Sequence, residues 1–351
     1  MKEFLRKNIR ELVPYSCARD EFTGTAEVYL DANENFYDYS DFGYNRYPDP
    51  LCKELRLEIE WKMNLPFDNT VIGNGSDELI DNLIRMFCEP NRDSILVMPP
   101  TYGAYKVFSD VNAVECKTLP LNEDFSIDLE GFLEISNSNK ESINQCKVAF
   151  VCSPNNPTGE SQSLQTIEDM ASIFEGILVV DEAYAEFSDK ESATTLVKKY
   201  DNLVVLKTFS KCWGLAGARL GIMVANKDLC ELMNKVKAPY NVGIPAQKAG
   251  LDQLKFSDEI LKDRDKVVQR REDYSLKFSS LDIVEKVYES DANFLLMKTK
   301  DSNKICNILQ EKAIVIRNRT NDLNCKNCIR ITIGSDEECQ RVFKELSEIK
   351  L

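Results

Sequence analysis

Lys211 stands where an amine could do covalent chemistry. It lies in the run Thr208-Phe209-Ser210-Lys211-Cys212-Trp213-Gly214, after the apolar stretch Leu203-Val204-Val205-Leu206, and Arg219 follows eight positions later. An amine that forms a Schiff base must be partly desolvated, so that its neutral, nucleophilic form is accessible. Thr208 and Ser210 offer hydroxyls and Arg219 a fixed fork of donors, a set that suits one phosphate group. A surface lysine at the end of a strand is the plain alternative. The chain contains no histidine. Imidazole-based triads and imidazole metal ligands are therefore excluded, and any general base must be Lys, Asp, Glu, Tyr or Cys.

Four more segments place functional groups at expected strand ends, where open α/β sheets bind ligands. Gly73-Asn74-Gly75-Ser76-Asp77-Glu78 is a glycine turn leading into a helix start. Converging N–H groups and the positive end of a helix suit a phosphate there, although Ser76 or Asp77 could equally serve as a plain helix cap. Pro99-Pro100-Thr101-Tyr102-Gly103 brings an aromatic ring to a loop; it could cover a flat ligand or simply fill the core. Ser153-Pro154-Asn155-Asn156-Pro157-Thr158-Gly159 is a rigid turn carrying amide donors. In Val179-Val180-Asp181-Glu182-Ala183-Tyr184 an aspartate ends a wholly apolar run. Burying it is costly unless a cation such as a protonated pyridine nitrogen offsets the cost.

The elements that must hold these residues alternate. Short unbroken apolar runs at 70–72, 94–97, 114–116, 147–151, 177–180, 203–207 and 220–224 read as strands covered on both faces. Helical patterns at 76–88, 102–111, 164–174 and 227–236 separate several of them. This predicts a three-layer α/β domain with a mostly parallel sheet. After about residue 255 the texture changes: a long charged helix at 256–278 precedes strands at 294–297, 314–316 and 329–333 and helices at 302–312 and 336–348. The expected division is an N-terminal arm over 1–47 that packs on the small domain, a large domain over 48–255 and a small α+β domain over 256–351.

Composition limits the partners. With 43% hydrophobic and 29% charged residues the chain is of ordinary globular type, and its net charge of −14 disfavours nucleic acid and anionic membranes. No apolar run reaches the ~20 residues that a membrane helix needs. The start, Met1-Lys2-Glu3-Phe4-Leu5-Arg6-Lys7, does not read as a secretory signal, and the 12 scattered cysteines read as reduced thiols, so a cytoplasmic location is expected. The single pair Cys325-Lys326-Asn327-Cys328, with no second pair, points to no metal site.

Asn156-Pro157-Thr158-Gly159, then Asp181-Glu182-Ala183-Tyr184, then Ser210-Lys211 with Arg219 resembles, in order and spacing, the fold-type I pyridoxal-phosphate aminotransferases. That resemblance extends over essentially the whole chain. It implies pyridoxal 5′-phosphate as cofactor and Lys211, Asp181 and Tyr184 as the catalytic set. Lys211 would anchor the cofactor and later move the substrate Cα proton. Asp181 would pair with the pyridinium nitrogen, Asn156 and Tyr184 would bond the phenolic oxygen, and Tyr102 would stack on the ring. Gly75, Ser76 and Asp77, with Thr208, Ser210 and Arg219, would hold the phosphate.

Pro14-Tyr15-Ser16-Cys17-Ala18-Arg19, Leu30-Asp31-Ala32-Asn33-Glu34-Asn35, Asn45-Arg46-Tyr47-Pro48 and Cys328-Ile329-Arg330-Ile331-Thr332-Ile333-Gly334 are similar to the histidinol-phosphate aminotransferases. The implied reaction transfers the amino group of L-histidinol phosphate to 2-oxoglutarate. Tyr47 would reach the cofactor phosphate of a second subunit, implying a homodimer with shared active sites. Arg330, assisted by Arg317, would grip the substrate's anionic end, with Tyr15 and Asn33 lining the same pocket. Phe36 stands where that family usually has proline, and Cys212-Trp213 after the lysine is also unusual. Threonine-phosphate decarboxylases and broad aromatic aminotransferases share most of these motifs. A cofactor-binding transcription regulator would need an added DNA-binding domain, for which the roughly 45 residues ahead of the large domain show no basic recognition helix.

Overall fold

Runs such as Ile177–Asp181 and Leu203–Thr208 are apolar along their whole length, because both of their faces are covered. A computed structural model of the chain describes residues 4–15, 27–40, 42–140 and 145–351. Met1-Lys2-Glu3 and Ser16-Cys17-Ala18-Arg19 lie outside the described residues.

Seven strands form the larger sheet: β1 (Thr70–Asn74), β2 (Ser94–Val97), β3 (Glu115–Thr118), β4 (Cys146–Cys152), β5 (Ile177–Asp181), β6 (Leu203–Thr208) and β7 (Leu220–Ala225). Their order is β1-β7-β6-β5-β4-β2-β3, and only β7 runs against its neighbours. The helices Gly75–Phe87, Ala104–Val111 and Lys227–Val236 cover one face through Leu79, Leu83, Tyr105 and Met233. Lys53–Met63, Leu164–Ile173 and Ile244–Leu254 cover the other through Leu55, Ile59, Met170 and Leu254. The result is the expected three-layer architecture. Because β1, β4, β5 and β6 share one direction, their C-terminal ends reach the same edge, with Cys152 beside Asp181 and Asp181 beside Leu206. The glycine turn, the paired asparagines, Asp181 and Lys211 all follow those ends.

A second, antiparallel sheet has the order β10-β11-β9-β8, formed by β8 (Val284–Val287), β9 (Phe294–Thr299), β10 (Arg317–Asn318) and β11 (Cys328–Thr332). Its core joins Phe278, Ile305, Leu309, Leu295, Ile329 and Leu346. The strand expected at 314–316 is absent. Ala313 has φ 56° and the Ile314 N–H bonds Leu309 O at 2.8 Å, so these residues end the helix Ser302–Glu311 and pairing starts only at Arg317. Residues 4–10 also depart from the packing expected of the arm. Leu5 is buried in the core of the larger sheet, and the Arg6 N–H bonds Met86 O at 3.0 Å, satisfying an open carbonyl at a helix end.

Candidate active site

A cavity of about 150 Å³ opens at the shared edge of β4, β5 and β6. Ser76, Asp77, Tyr102, Cys152, Asn156, Asp181, Ala183, Tyr184, Thr208, Ser210, Lys211, Ala216 and Arg219 line it. A larger cleft of about 690 Å³ lies between Lys53–Met63 and Ile244–Leu254, but it carries only scattered surface charges around Trp61. Convergence of chemistry, not volume, marks the site.

Asp181 is buried at the end of β5. Its Oδ2 accepts from the Tyr105 hydroxyl at 2.8 Å and its Oδ1 from the Ala183 N–H at 3.1 Å. Burial pushes its carboxyl up to about 6, against the opposing pull of those two bonds. The folded chain therefore binds this proton more tightly than the unfolded one. The resulting stability is fully present below the unfolded value of 3.8 and is lost as pH rises through about 6. The loss amounts to about 3 kcal/mol. In cofactor-free protein, Asp181→Asn is expected to gain on the wild type in unfolding free energy between pH 4 and 7; a gap that stays constant would refute the assignment.

Lys211 faces the opening, with its amine 5.3 Å from the centre of the Tyr184 ring. Although the residue reaches solvent, burial around the amine lowers its pKa, and the positive charge of Arg330 adds to that effect. Asp181 and Asp77 oppose it. Nearby, Asn156 is fixed from both ends. Its Nδ2 donates to the Tyr184 hydroxyl at 3.5 Å, and its Oδ1 accepts from Arg330 Nη1.

The far end of the cavity is a cradle at the N-terminus of Gly75–Phe87. Gly75 has φ 78°, and a Cβ on it would meet Arg219 Nη2 at 2.6 Å. A side chain on Gly221 of β7 would collide with the Gly75 and Ser76 backbone, so glycine lets helix and sheet meet. Arg219 donates to Ser210 Oγ at 3.3 Å and to Asp77 Oδ2 at 3.1 Å. Thr208 Oγ1 accepts from the Ser210 N–H at 3.1 Å. Tyr102 donates to Asp77 Oδ1 at 3.1 Å. A helix N-terminus, hydroxyls and a guanidinium at one end, a buried carboxylate, and an amine at the mouth fit a flat phosphorylated heteroaromatic aldehyde.

The sequence profile described as aminotransferase class I and II matches residues 21–346. The chain belongs to that family. A histidinol-phosphate aminotransferase of Flavobacterium johnsoniae is 45% identical to this aminotransferase, covering 97% of this chain and 96% of its own. One from Cytophaga hutchinsonii is 40% identical, covering 99% and 98%. Among solved structures, the histidinol-phosphate aminotransferase from Sinorhizobium meliloti in complex with pyridoxal-5′-phosphate shares the fold at a TM-score of 0.77 and 21% identity, covering 87% of this chain and 83% of its own. The enzyme from Clostridium acetobutylicum gives the same TM-score and identity, covering 86% and 90%.

The second sheet of this aminotransferase brings Arg330 of β11 against Asn156 of the cavity lining, while Arg330 itself lines, with Arg317, a neighbouring cleft of about 600 Å³. The Arg330 guanidinium lies 5.1 Å from the centre of the Phe294 ring, and its Nε is buried without a hydrogen-bond partner. Arg317 stands directly across from Arg330 in the β10–β11 pair. Like charges placed opposite repel unless an anion is shared between them. Burial lowers the Arg330 pKa, with further lowering from Arg319 and Arg317. Like Arg330, five further expected site residues are not part of the cavity lining: Gly75, Arg317, Tyr15, Asn33 and Tyr47. Arg317, Tyr15 and Asn33 are exposed, and Tyr47 stacks on Tyr240 at 4.5 Å. Tyr105 and Cys152 escaped the sequence reading. Tyr105 had one available signal: in a chain without histidine, a buried aspartate needs some other side-chain donor, and this tyrosine lies three positions after Tyr102.

Proposed function

We propose that this aminotransferase catalyses the pyridoxal-phosphate-dependent exchange of L-histidinol phosphate and 2-oxoglutarate for imidazole acetol phosphate and L-glutamate. The carrying observation is the convergence of Lys211, Asp181, Tyr184 and Arg219 in one cavity, with Arg330 of the second sheet bonded to Asn156 in its lining. The names of the full-length relatives, 40–45% identical in the cases above, support it. Pyridoxal 5′-phosphate, when bound, supplies an electron sink that acidifies the substrate Cα–H. Lys211 anchors that group, and its amine, lowered in pKa, accepts the Cα proton. Asp181 holds a proton on the ring nitrogen. Asn156 and Tyr184 offer hydrogen bonds to the ring oxygen, Tyr102 supplies an aromatic face, and the cradle of Gly75, Ser76, Asp77, Thr208, Ser210 and Arg219 takes the phosphate.

Glutamate carries a distal carboxylate and histidinol phosphate a distal phosphate. Arg330 and Arg317 can serve each in turn through forked hydrogen bonds. Losing one such charged contact costs roughly 1.5–3 kcal/mol. Arg330→Gln is therefore expected to lower kcat/KM for histidinol phosphate by about 10- to 100-fold. Steady-state kinetics with phosphorylated and unphosphorylated donors check this; equal losses for both would remove Arg330 from anion recognition.

The same reading includes a cytoplasmic homodimer divided into an arm (1–47), a large domain (48–255) and a small domain (256–351). Tyr47 is half exposed, and Leu57 and Trp61 are exposed on Lys53–Met63, a face suited to a second copy. Tyr15 and Asn33 complete the substrate pocket in this reading. A substrate panel tests the function. Glutamate formation from histidinol phosphate and 2-oxoglutarate supports it. Carbon dioxide release from threonine phosphate without a keto acid would refute it, as would a preference for phenylalanine or tyrosine as donor.

A further inference from the structure

Tyr105 lies on the helix Ala104–Val111, faces the larger sheet and is 1% exposed. Its ring stacks on Phe150 of β4 at 4.8 Å between centroids and 13° between planes, so it has little freedom to turn. Tyr102 also meets this ring edge-on at 5.4 Å. Its hydroxyl donates to Asp181 Oδ2 at 2.8 Å. The backbone N–H of Ala183 holds the other oxygen. The carboxylate is thus fixed at both oxygens while still lining the cavity.

We infer that Tyr105 is a positioning residue that keeps Asp181 ionised and oriented for the ring nitrogen of the cofactor. The inference rests on the proposed pyridoxal-phosphate chemistry. It adds a dedicated neutral donor behind the carboxylate. A phenol suits this position because burial, with Asp181 beside it, holds its proton well above the ordinary tyrosine range, so it remains a donor at every working pH. A charged donor would instead compete with the ring nitrogen for the carboxylate. The other titratable groups around Asp181 come from separate elements. They are Cys152 on β4, Asp77 on Gly75–Phe87, Lys211 after β6, and Tyr102 and Tyr184. Of these, Asp77 disfavours the carboxylate and Lys211 favours it.

Tyr105→Phe removes one oxygen and keeps the stack on Phe150. In cofactor-free protein, the Asp181 carboxyl can be followed by infrared difference spectroscopy against pH, with Asp181→Asn to assign the band. The variant is expected to move this titration upward by about one unit or more, since a hydrogen bond to the charged form is lost. In loaded enzyme, kcat/KM is expected to fall about 10-fold or more, with the acid limb of the pH profile shifted in the same direction. An unmoved titration overturns the inference. Should Tyr105→Phe fail to fold, adding Asp181→Asn is expected to restore folding; failure of that rescue would overturn it equally. The cofactor-free titration does not depend on the substrate. A shifted titration in protein that turns over no amino donor would therefore sink the proposed function and leave this role standing.

Discussion

Lys211→Ala is expected to lower turnover by at least about 10⁴-fold while leaving the fold intact, because the variant loses a covalent anchor and a proton carrier together. Stability should change little. The lysine amine makes no hydrogen bond or ion pair among the described residues, and its side chain reaches solvent; such substitutions usually stay within about 0.5 kcal/mol. A lost activity would therefore not be a folding defect. The cradle at Gly75–Phe87 and the carboxylate of Asp181 remain in the variant, so pyridoxal phosphate should still bind, but without the visible absorption band that covalent attachment to a lysine produces. Lys211→Arg should be equally inactive, since a guanidinium cannot give up its proton and so can neither anchor the cofactor nor take a Cα proton. An unchanged band in Lys211→Ala would remove Lys211 from the anchor's role.

The larger sheet was legible because buried parallel strands write themselves as unbroken apolar runs. Asp181 was visible for the same reason: a charge ending such a run stands out. Val284–Val287 was not, since an edge strand that sets adjacent Glu and Lys between its two valines lacks alternation and resembles a solvated loop. Helix Lys53–Met63 hid because Leu57 and Trp61 break its polar face. Within the site, motif residues at strand ends were readable, and those depending on distant packing were not. Tyr105 meets Asp181 across 76 positions of chain, through a helix that covers the sheet. Arg330 meets Asn156 across 174. Nothing local to either position encodes those meetings. Tyr47, Tyr15 and Asn33 are a different case: the family resemblance alone assigned them, Tyr47 to the cofactor phosphate of a second subunit and Tyr15 and Asn33 to the substrate pocket.

Lys207→Met should cost about 3–5 kcal/mol of stability, the range expected when one partner is removed from a buried ion pair. Lys207 lies on β6, four positions before Lys211, and its amine is 2.9 Å from Glu182 Oε2 and 3.2 Å from Glu186 Oε1. All three side chains are less than 10% exposed. Burial alone would lower the pKa of this lysine, but the two carboxylates reverse the effect and hold it above the ordinary lysine value. Methionine fills a similar volume without charge, so Glu182 and Glu186 would face each other as two buried anions. Ser192 Oγ and the Ala193 N–H would still bond Glu182, at 2.6 and 2.7 Å, but neither bond neutralises it. The consequence reaches the active site through the chain itself, because Glu182 follows Asp181 and the pair of glutamates brackets Tyr184. Weaker pyridoxal-phosphate binding should therefore accompany the lower urea midpoint. Lys207→Arg, which keeps the charge, should retain most of both properties. Lys207→Met combined with Glu182→Gln and Glu186→Gln should recover much of the lost stability, because no charge is then left unpaired. A Lys207→Met variant within about 1 kcal/mol of wild type, at an unchanged m-value, would show instead that the two glutamates are paired elsewhere or protonated in the fold.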